Sequence, residues 1–309
     1  MKRYIYKQLL AWKNEKEHKP LILNGARQVG KTYILREFGR NEYKRMAFFS
    51  LDRDQKALEI FNKGGRATDM LMALSAICHE DITPHDTLVV LDEIQNYPKA
   101  LEALKFFCEE TPEIDIVVAG SLLGLSIHSG VSYPVGKVEE LHLYPMTFLE
   151  FLEAMGKTQL VNLLENKNWT VINMLETELI SSLRQYYYVG GMPAAVLAHI
   201  EKKGWKEVRR IQQQIITDYR RDFSKHAPTR EIPRINMVWD SIPAQLAKEN
   251  KKFVYGAVKK SARAADFEMA IQWLIDAGLA YKVPRVNAPR LPLKFYEDIS
   301  AFKLFMLDV

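Results

Sequence analysis

Cysteine is scarce in this 309-residue chain: only Cys78 and Cys108 are present. Two thiols cannot build a disulfide framework or, alone, a cysteine-based zinc site, so both read as small core hydrophobes in a reducing cytoplasm. Long apolar runs are missing too. The longest are strand-length, far below the ~20 residues a bilayer-spanning helix needs, and no membrane partner is expected. The basic N-terminus, MKRYIYKQLLAWKNEKEHK, lacks the apolar region and small-residue cleavage site of a secretory leader. None of the seven histidines recurs at H-x-x-x-H spacing, which leaves histidine-based metal catalysis without support. There is no internal repeat and no low-complexity linker.

What remains is an ordinary globular composition, 48% hydrophobic and 26% charged. At a rough 150 residues per domain, the length allows two domains and part of a third. Charge is uneven along the chain. Residues 1–200 hold 22 Lys and Arg against 25 Asp and Glu, a net of −3, whereas residues 201–309 hold 21 against 13, a net of +8. The two halves therefore face different surroundings, and the basic one suits either nucleic acid or an acidic protein partner.

The first 150 residues alternate between strand-like and helix-like segments. Apolar runs at Pro20–Asn24, Met46–Asp52, Thr87–Asp92, Ile114–Ala119 and Glu140–Pro145 read as strands; Tyr4–Trp12, Lys31–Phe38, Thr68–Cys78 and Lys99–Glu109 read as helices. Strands buried on both faces and alternating with helices indicate an α/β fold with a doubly wound parallel sheet. From Thr147 the pattern turns helical, over Phe148–Met155, Val161–Leu164, Asn173–Tyr188 and Trp205–Phe223, with a break at Val189-Gly-Gly-Met-Pro193. Helix-like pieces then precede a short strand at Leu279–Pro284, the order of a winged-helix module. The expected domains are a core over 1–150, a helical region over 151–225 and a winged-helix-like module over 226–292. Residues 293–309 would begin a further domain, because the uncapped apolar end Phe302–Val309 predicts that the natural chain continues.

Three segments carry chemistry. Gly25-Ala26-Arg27-Gln28-Val29-Gly30-Lys31-Thr32 fits G-x-x-x-x-G-K-[ST] and stands between a strand and a helix. Its glycines let backbone N–H groups curl around phosphate oxygens at the positive end of a helix, Lys31 meets the β/γ-phosphates, and Thr32 completes a magnesium shell. A glycine-containing helix start with a surface lysine is the plain alternative. In Leu88-Val-Val-Leu-Asp92-Glu93, carboxylates emerge at the C-terminal end of a buried strand, where open α/β sheets bind ligands. Asp92 takes the Walker B role toward Mg²⁺ and Glu93 polarises the attacking water. Finally, Val117-Val-Ala-Gly-Ser121 places Ser121 as a γ-phosphate sensor, although Gly-Ser after a strand also makes an ordinary turn.

With these segments in view, the sequence resembles the AAA+-like P-loop ATPases of bacteria and archaea that join an ATPase core to a C-terminal domain of unknown function. The matching residues are GARQVGKT (25–32), LVVLDEIQ (88–95), VVAGS (117–121), YPMTFLEF (144–151) and YVGGMP (188–193). The resemblance implies strand order 5-1-4-3-2, a helical lid, a winged helix, ATP and Mg²⁺ as ligands, and a nuclease-like domain beyond the present chain in relatives. Gly190–Pro193 also resembles the glycine-x-proline motif of signal-transduction ATPases, in which the proline packs against adenine; this assigns Pro193 to the nucleotide, against a plain helix–helix turn. Where relatives often carry Gly-Arg-Val, this chain has Gly136-Lys137-Val138, and a lysine cannot clamp phosphate bidentately. Tyr186–Tyr188 reads as lid packing, and the cluster Arg209, Arg210, Arg220, Arg221 and Lys225 as a solvated helix face or a binding groove.

The sequence therefore predicts a magnesium-dependent ATPase that uses hydrolysis to drive or switch a conformational change, acting on nucleic acid or an acidic protein through residues 201–309. Two other classes fit the same motifs. One is a nucleotide-gated DNA- or protein-binding module with little turnover. The other is a P-loop kinase, although no arginine-rich flap is evident. Phosphate release with and without DNA separates them.

Overall fold

In a computed structural model, which describes residues 1–121 and 133–308, five parallel strands form the centre of the N-terminal part. They are β1 (Leu21–Asn24), β2 (Arg45–Ser50), β3 (Thr87–Asp92), β4 (Asp115–Gly120) and β5 (Glu139–His142), in the order β2-β3-β4-β1-β5. This is the order the resemblance implies. The register places Leu21 beside Val117 and Glu139, and Val90 beside Phe48 and Val117.

Position in the sheet explains which strands are continuous in hydrophobicity. β3 and β4 lie inside it, and every residue of both is buried. The edge strand β5 alternates half-buried with exposed residues, and the other edge, β2, is only partly buried, so two-faced burial holds for the inner strands alone. One face carries Ile22, Phe49, Val89, Leu91, Ile116 and Val118. These pack with Phe61, Leu74, Leu104 and Phe107 from α3 (Gln55–Lys63), α4 (Ala67–Cys78) and α5 (Pro98–Glu110). Fully burying side chains of this size is worth roughly 1.5–3 kcal/mol each. The alternate residues face α2 (Lys31–Glu42), preceded in the chain by α1 (Ile5–Asn14). There Gly39 lets the helix approach: an added Cβ would stand 2.4 Å from the Met46 sulfur and 3.4 Å from Leu88 Cδ2. The sequence reading passed over α3, a nine-residue amphipathic helix of which only Ala57 and Phe61 are buried.

After β5 the chain is helical over Phe148–Ala154, Thr158–Glu165, Trp169–Met174, Glu176–Val189 and Pro193–Ile200. Thr147 and Glu150 form a reciprocal capping box at the first of these. The segment before it is tied to the glycine break: Met146 N–H donates to the Gly191 carbonyl at 2.7 Å and the Tyr186 hydroxyl to the Met146 carbonyl at 2.8 Å. Gly191 is required there, because a Cβ would stand 2.3 Å from the Met146 oxygen.

The chain divides into two units, Met1–Glu201 and Lys202–Val309. The second contains helices Trp205–His226, Ile232–Leu246, Tyr255–Val258 and Ala264–Asp276, followed by β6 (Ala280–Val286) and β7 (Glu297–Met306). Its core is aromatic: Phe223 meets Trp239 and Trp273 edge-on, each with ring centroids 5.5 Å apart. Within the segment 293–309, residues Glu297–Met306 form β7. Ala280 pairs with Met306 and Val283 with Lys303, so the apolar end is one side of a ribbon, with Ala301, Phe302 and Leu304 buried.

Candidate nucleotide site

The loop from Gly25 to Gly30 leaves β1 and turns into α2. Three of its residues have positive φ: Gly25 at 155°, Gln28 at 66° and Gly30 at 98°. Gly25 is constrained further, since a Cβ would stand 2.4 Å from the Leu143 carbonyl oxygen. Lys31 begins α2 and is buried, its ammonium donating to the Gly25 and Ala26 carbonyls at 2.9 Å each. Burial pulls its pKa down to about 8, against the opposing pull of the Glu93 and Asp92 carboxylates. Within the loop Ala26 and Val29 are buried, Arg27 is half-buried and Gln28 exposed.

The carboxylates arrive from β3. Asp92, buried, accepts a hydrogen bond from the Thr32 hydroxyl at 2.7 Å, so the first turn of α2 and the end of β3 meet directly. Burial raises the Asp92 pKa, with the Thr32 hydrogen bond the largest opposing effect. Glu93 follows in left-handed backbone, φ 62°, which turns the chain sharply off the strand. Ser121, just beyond β4, is buried, and among the described residues its hydroxyl has no hydrogen-bond partner. The structure thus gathers Lys31, Thr32, Asp92, Glu93 and Ser121 at the C-terminal edge of the inner strands. Pro193 joins from the helical segment, its Cγ 3.7 Å from where a Cβ on Gly30 would lie.

Two residues that motif reasoning missed complete the surroundings. Arg3, buried, donates to the Val29 carbonyl at 3.0 Å, to the Tyr144 carbonyl at 2.5 Å and to Glu150 at 3.1 Å. A lone arginine near a terminus carries no spacing signal that would have singled it out. Gln95 was visible within the matched LVVLDEIQ segment, yet no role followed from spacing; its side chain lies between Glu93 and Ser121.

The arrangement offers a loop with three positive-φ residues, one ammonium and a hydroxyl–carboxylate pair. Residues 17–152 match the AAA domain family. The chain carries an AAA-type P-loop ATPase domain. Residues 180–309 match a domain of unknown function, so the match to the ATPase domain ends near the helix Phe148–Ala154 and the second begins within Glu176–Val189. No curated protein matches the chain. Among solved structures, a chain of Drosophila ORC bound to DNA is 17% identical with TM-score 0.38, covering 96% of this chain and 88% of that one. Cdc6p from Pyrobaculum aerophilum is 15% identical with TM-score 0.37, covering 96% and 93%. A signal transduction ATPase with numerous domains and a tetratricopeptide repeat sensor, from Pyrococcus horikoshii, is 12% identical with TM-score 0.38, covering 91% and 39%. The assignment of the ATPase domain rests on the family match and the loop geometry, not on these distant likenesses.

Other expected features fall out differently. Lys137 of the Gly-Lys-Val segment ion-pairs with Glu109 at 3.0 Å. Of Tyr186–Tyr188, Tyr186 packs against Phe148 and Phe151 and its ring also meets that of Tyr187; Tyr187 and Tyr188 are exposed. In the second unit, the arginines of Trp205–His226 have local partners. Arg210 pairs with Glu207 at 2.7 Å, Arg221 with Asp218 at 3.1 Å, Arg220 with Asp240 at 2.5 Å, and Arg209 donates to Gln212. No helix among the described residues is long and apolar enough to cross a membrane.

Proposed function

We propose that the chain is a magnesium-dependent ATPase that uses ATP binding and hydrolysis to switch or drive a conformational change. The observation that carries this reading is the Thr32–Asp92 hydrogen bond, which joins the phosphate-loop helix to the acidic strand end at 2.7 Å. A hydroxyl and a carboxylate side by side are hard oxygen donors that suit Mg²⁺. Among the described residues no cluster of three or more His, Cys, Asp or Glu could hold a metal alone. When bound, Mg²⁺ supplies charge neutralisation between the phosphates. Thr32 and Asp92 would hold it, and the buried Ser121 hydroxyl, without a partner among the described residues, suits a further phosphate or water contact.

The remaining roles belong to this chain's own groups. Backbone N–H groups of Gly25–Thr32 bind phosphate oxygens at the start of α2. Lys31 supplies positive charge to the β/γ-phosphates. Glu93 takes up a proton from the attacking water as general base. Pro193 contributes an apolar contact beside the loop, in keeping with its approach to Gly30. The basic residues 201–309 engage nucleic acid phosphates or an acidic protein, a reading supported by their net charge of +8. The setting is a reducing cytoplasm, in which Cys78 and Cys108 stay as free thiols. Phosphate release by the whole chain with MgATP, with and without DNA, tests the proposal; no release above the Lys31→Ala background in either condition overturns hydrolysis.

A further inference from the structure

Gln95 sits in the short 3-10 turn Ile94–Asn96 that follows Glu93. The left-handed backbone of Glu93 bends the chain off β3, and fully buried Ile94 anchors the turn against the sheet. This brings the Gln95 side chain back over the ends of β3 and β4, which are neighbours in register, Asp92 opposite Ala119. Its two polar atoms then face different groups. Nε2 donates to Glu93 Oε2 at 2.6 Å, and Oε1 accepts from the Ser121 backbone N–H at 3.1 Å.

That pairing admits one orientation of the carboxamide. A flipped amide would set oxygen against a carboxylate and NH₂ against an N–H, two repulsive contacts in place of two hydrogen bonds. A hydrogen bond to an ionised acceptor is also among the stronger kinds. One carboxylate oxygen of Glu93 is thereby committed to Gln95, and Oε1 has no hydrogen-bond partner among the described residues.

We propose that Gln95 is a positioning residue for hydrolysis: its amide clamps the Glu93 carboxylate to the Ser121 backbone, so that Glu93 presents one fixed oxygen to water. The inference rests on Glu93 acting as the base. It adds that the base is held by a specific donor anchored on the neighbouring strand, which couples the ends of β3 and β4. Gln95 itself touches neither water nor phosphate in this scheme.

Four variants of the full chain test it. Gln95→Ala should lower kcat for ATP by about ten- to a hundredfold, the scale of misplacing a reacting group by about an ångström, with KM within about twofold. Gln95→Glu keeps an acceptor for the Ser121 N–H but loses the donor to Glu93. It should lose kcat as Gln95→Ala does, while hydrogen exchange at the Ser121 amide stays as slow as in the parent; in Gln95→Ala that exchange should accelerate. In a Glu93→Gln background, Gln95→Ala should cause no further loss beyond about twofold, because Gln95 acts only through Glu93. Unchanged kcat in Gln95→Ala and Gln95→Glu overturns the inference, as does a full additional loss in the Glu93→Gln background. If Glu93→Gln itself hydrolyses ATP at the parental rate, the reading of Glu93 has failed instead, and the two failures are told apart by that single control.

Discussion

Arg3 and Glu150, 147 positions apart, meet as a buried ion pair with Nε 3.1 Å from Oε1. Each completes its hydrogen bonding elsewhere. The guanidinium reaches the carbonyls of Val29 and Tyr144, and the carboxylate accepts from the Tyr4 and Thr147 N–H groups. One pair thus binds the start of the chain to the phosphate loop and to the first helix after the sheet. Removing one partner strands the other charge in the interior, so Arg3→Ala should destabilise the protein by about 3–5 kcal/mol, whereas a matched Arg3→Met, Glu150→Leu pair should recover much of that loss. Urea denaturation followed by far-UV circular dichroism checks this; equal losses in the single and double variants would count against it.

Lys31 gives a pH-dependent prediction. Burial lowers its pKa to about 8, so near pH 8 roughly half of the ammonium is discharged before nucleotide arrives. Phosphate charge beside it favours the charged form, and MgADP binding at pH 8 should take up about half a proton. Calorimetry in two buffers of different ionisation enthalpy reads that number directly, and a value of zero would show Lys31 already fully charged. The stability effect has the opposite sense to that of a paired lysine. Between about pH 8 and about 10.4 the unfolded chain binds more protons at this site than the folded one, so stability at the site rises with pH across that window. Lys31→Ala should abolish ATP binding or turnover while keeping the fold; unchanged affinity and turnover would sink the nucleotide assignment.

Glu93→Gln separates binding from chemistry. The variant should bind MgATP as the parent does and hydrolyse it at least ~100-fold more slowly, the scale of losing a general base. Parallel losses of affinity and rate would make Glu93 part of the metal shell.

Gly191→Ala should loosen the junction between the sheet and the helical segment. Its Cβ would stand 2.3 Å from the Met146 carbonyl oxygen, a backbone atom that cannot swing aside, so a cost of about 1–3 kcal/mol is expected from overpacking. A thermal shift of less than a degree would show that the junction yields freely.

For the basic second unit, affinity for nucleic acid should fall steeply with salt and respond to ATP. Arg210 already pairs with Glu207 at 2.7 Å, so reversing Lys259 and Lys260 should weaken binding to all sequences more than reversing Arg209 and Arg210. Anisotropy with labelled DNA and RNA at low salt, with and without ATP, reads this; no binding in any condition would favour the acidic-protein partner.

Local chemistry determined a good part of this protein. Four apolar residues before Asp92 read as a buried inner strand, and glycine at positions 25 and 30 before Lys31 marks a loop with positive φ leading into a helix. Those patterns lie within single segments, so periodicity and spacing expose them. The β5 edge, with its alternating burial, and α3, with two buried residues, were less legible because their apolar content depends on position in the sheet. Nothing in the one-dimensional order pairs Arg3 with Glu150, Met146 with Gly191, or Gln95 with both Glu93 and Ser121. Nor does it show that the apolar end of the chain is the second side of a ribbon, since β7 is defined by its partner β6. Spacing and residue type determine what a segment is, because backbone preference and burial act locally. Only the tertiary structure decides which distant polar groups satisfy one another, because a buried charge or amide takes the partner that packing brings to it.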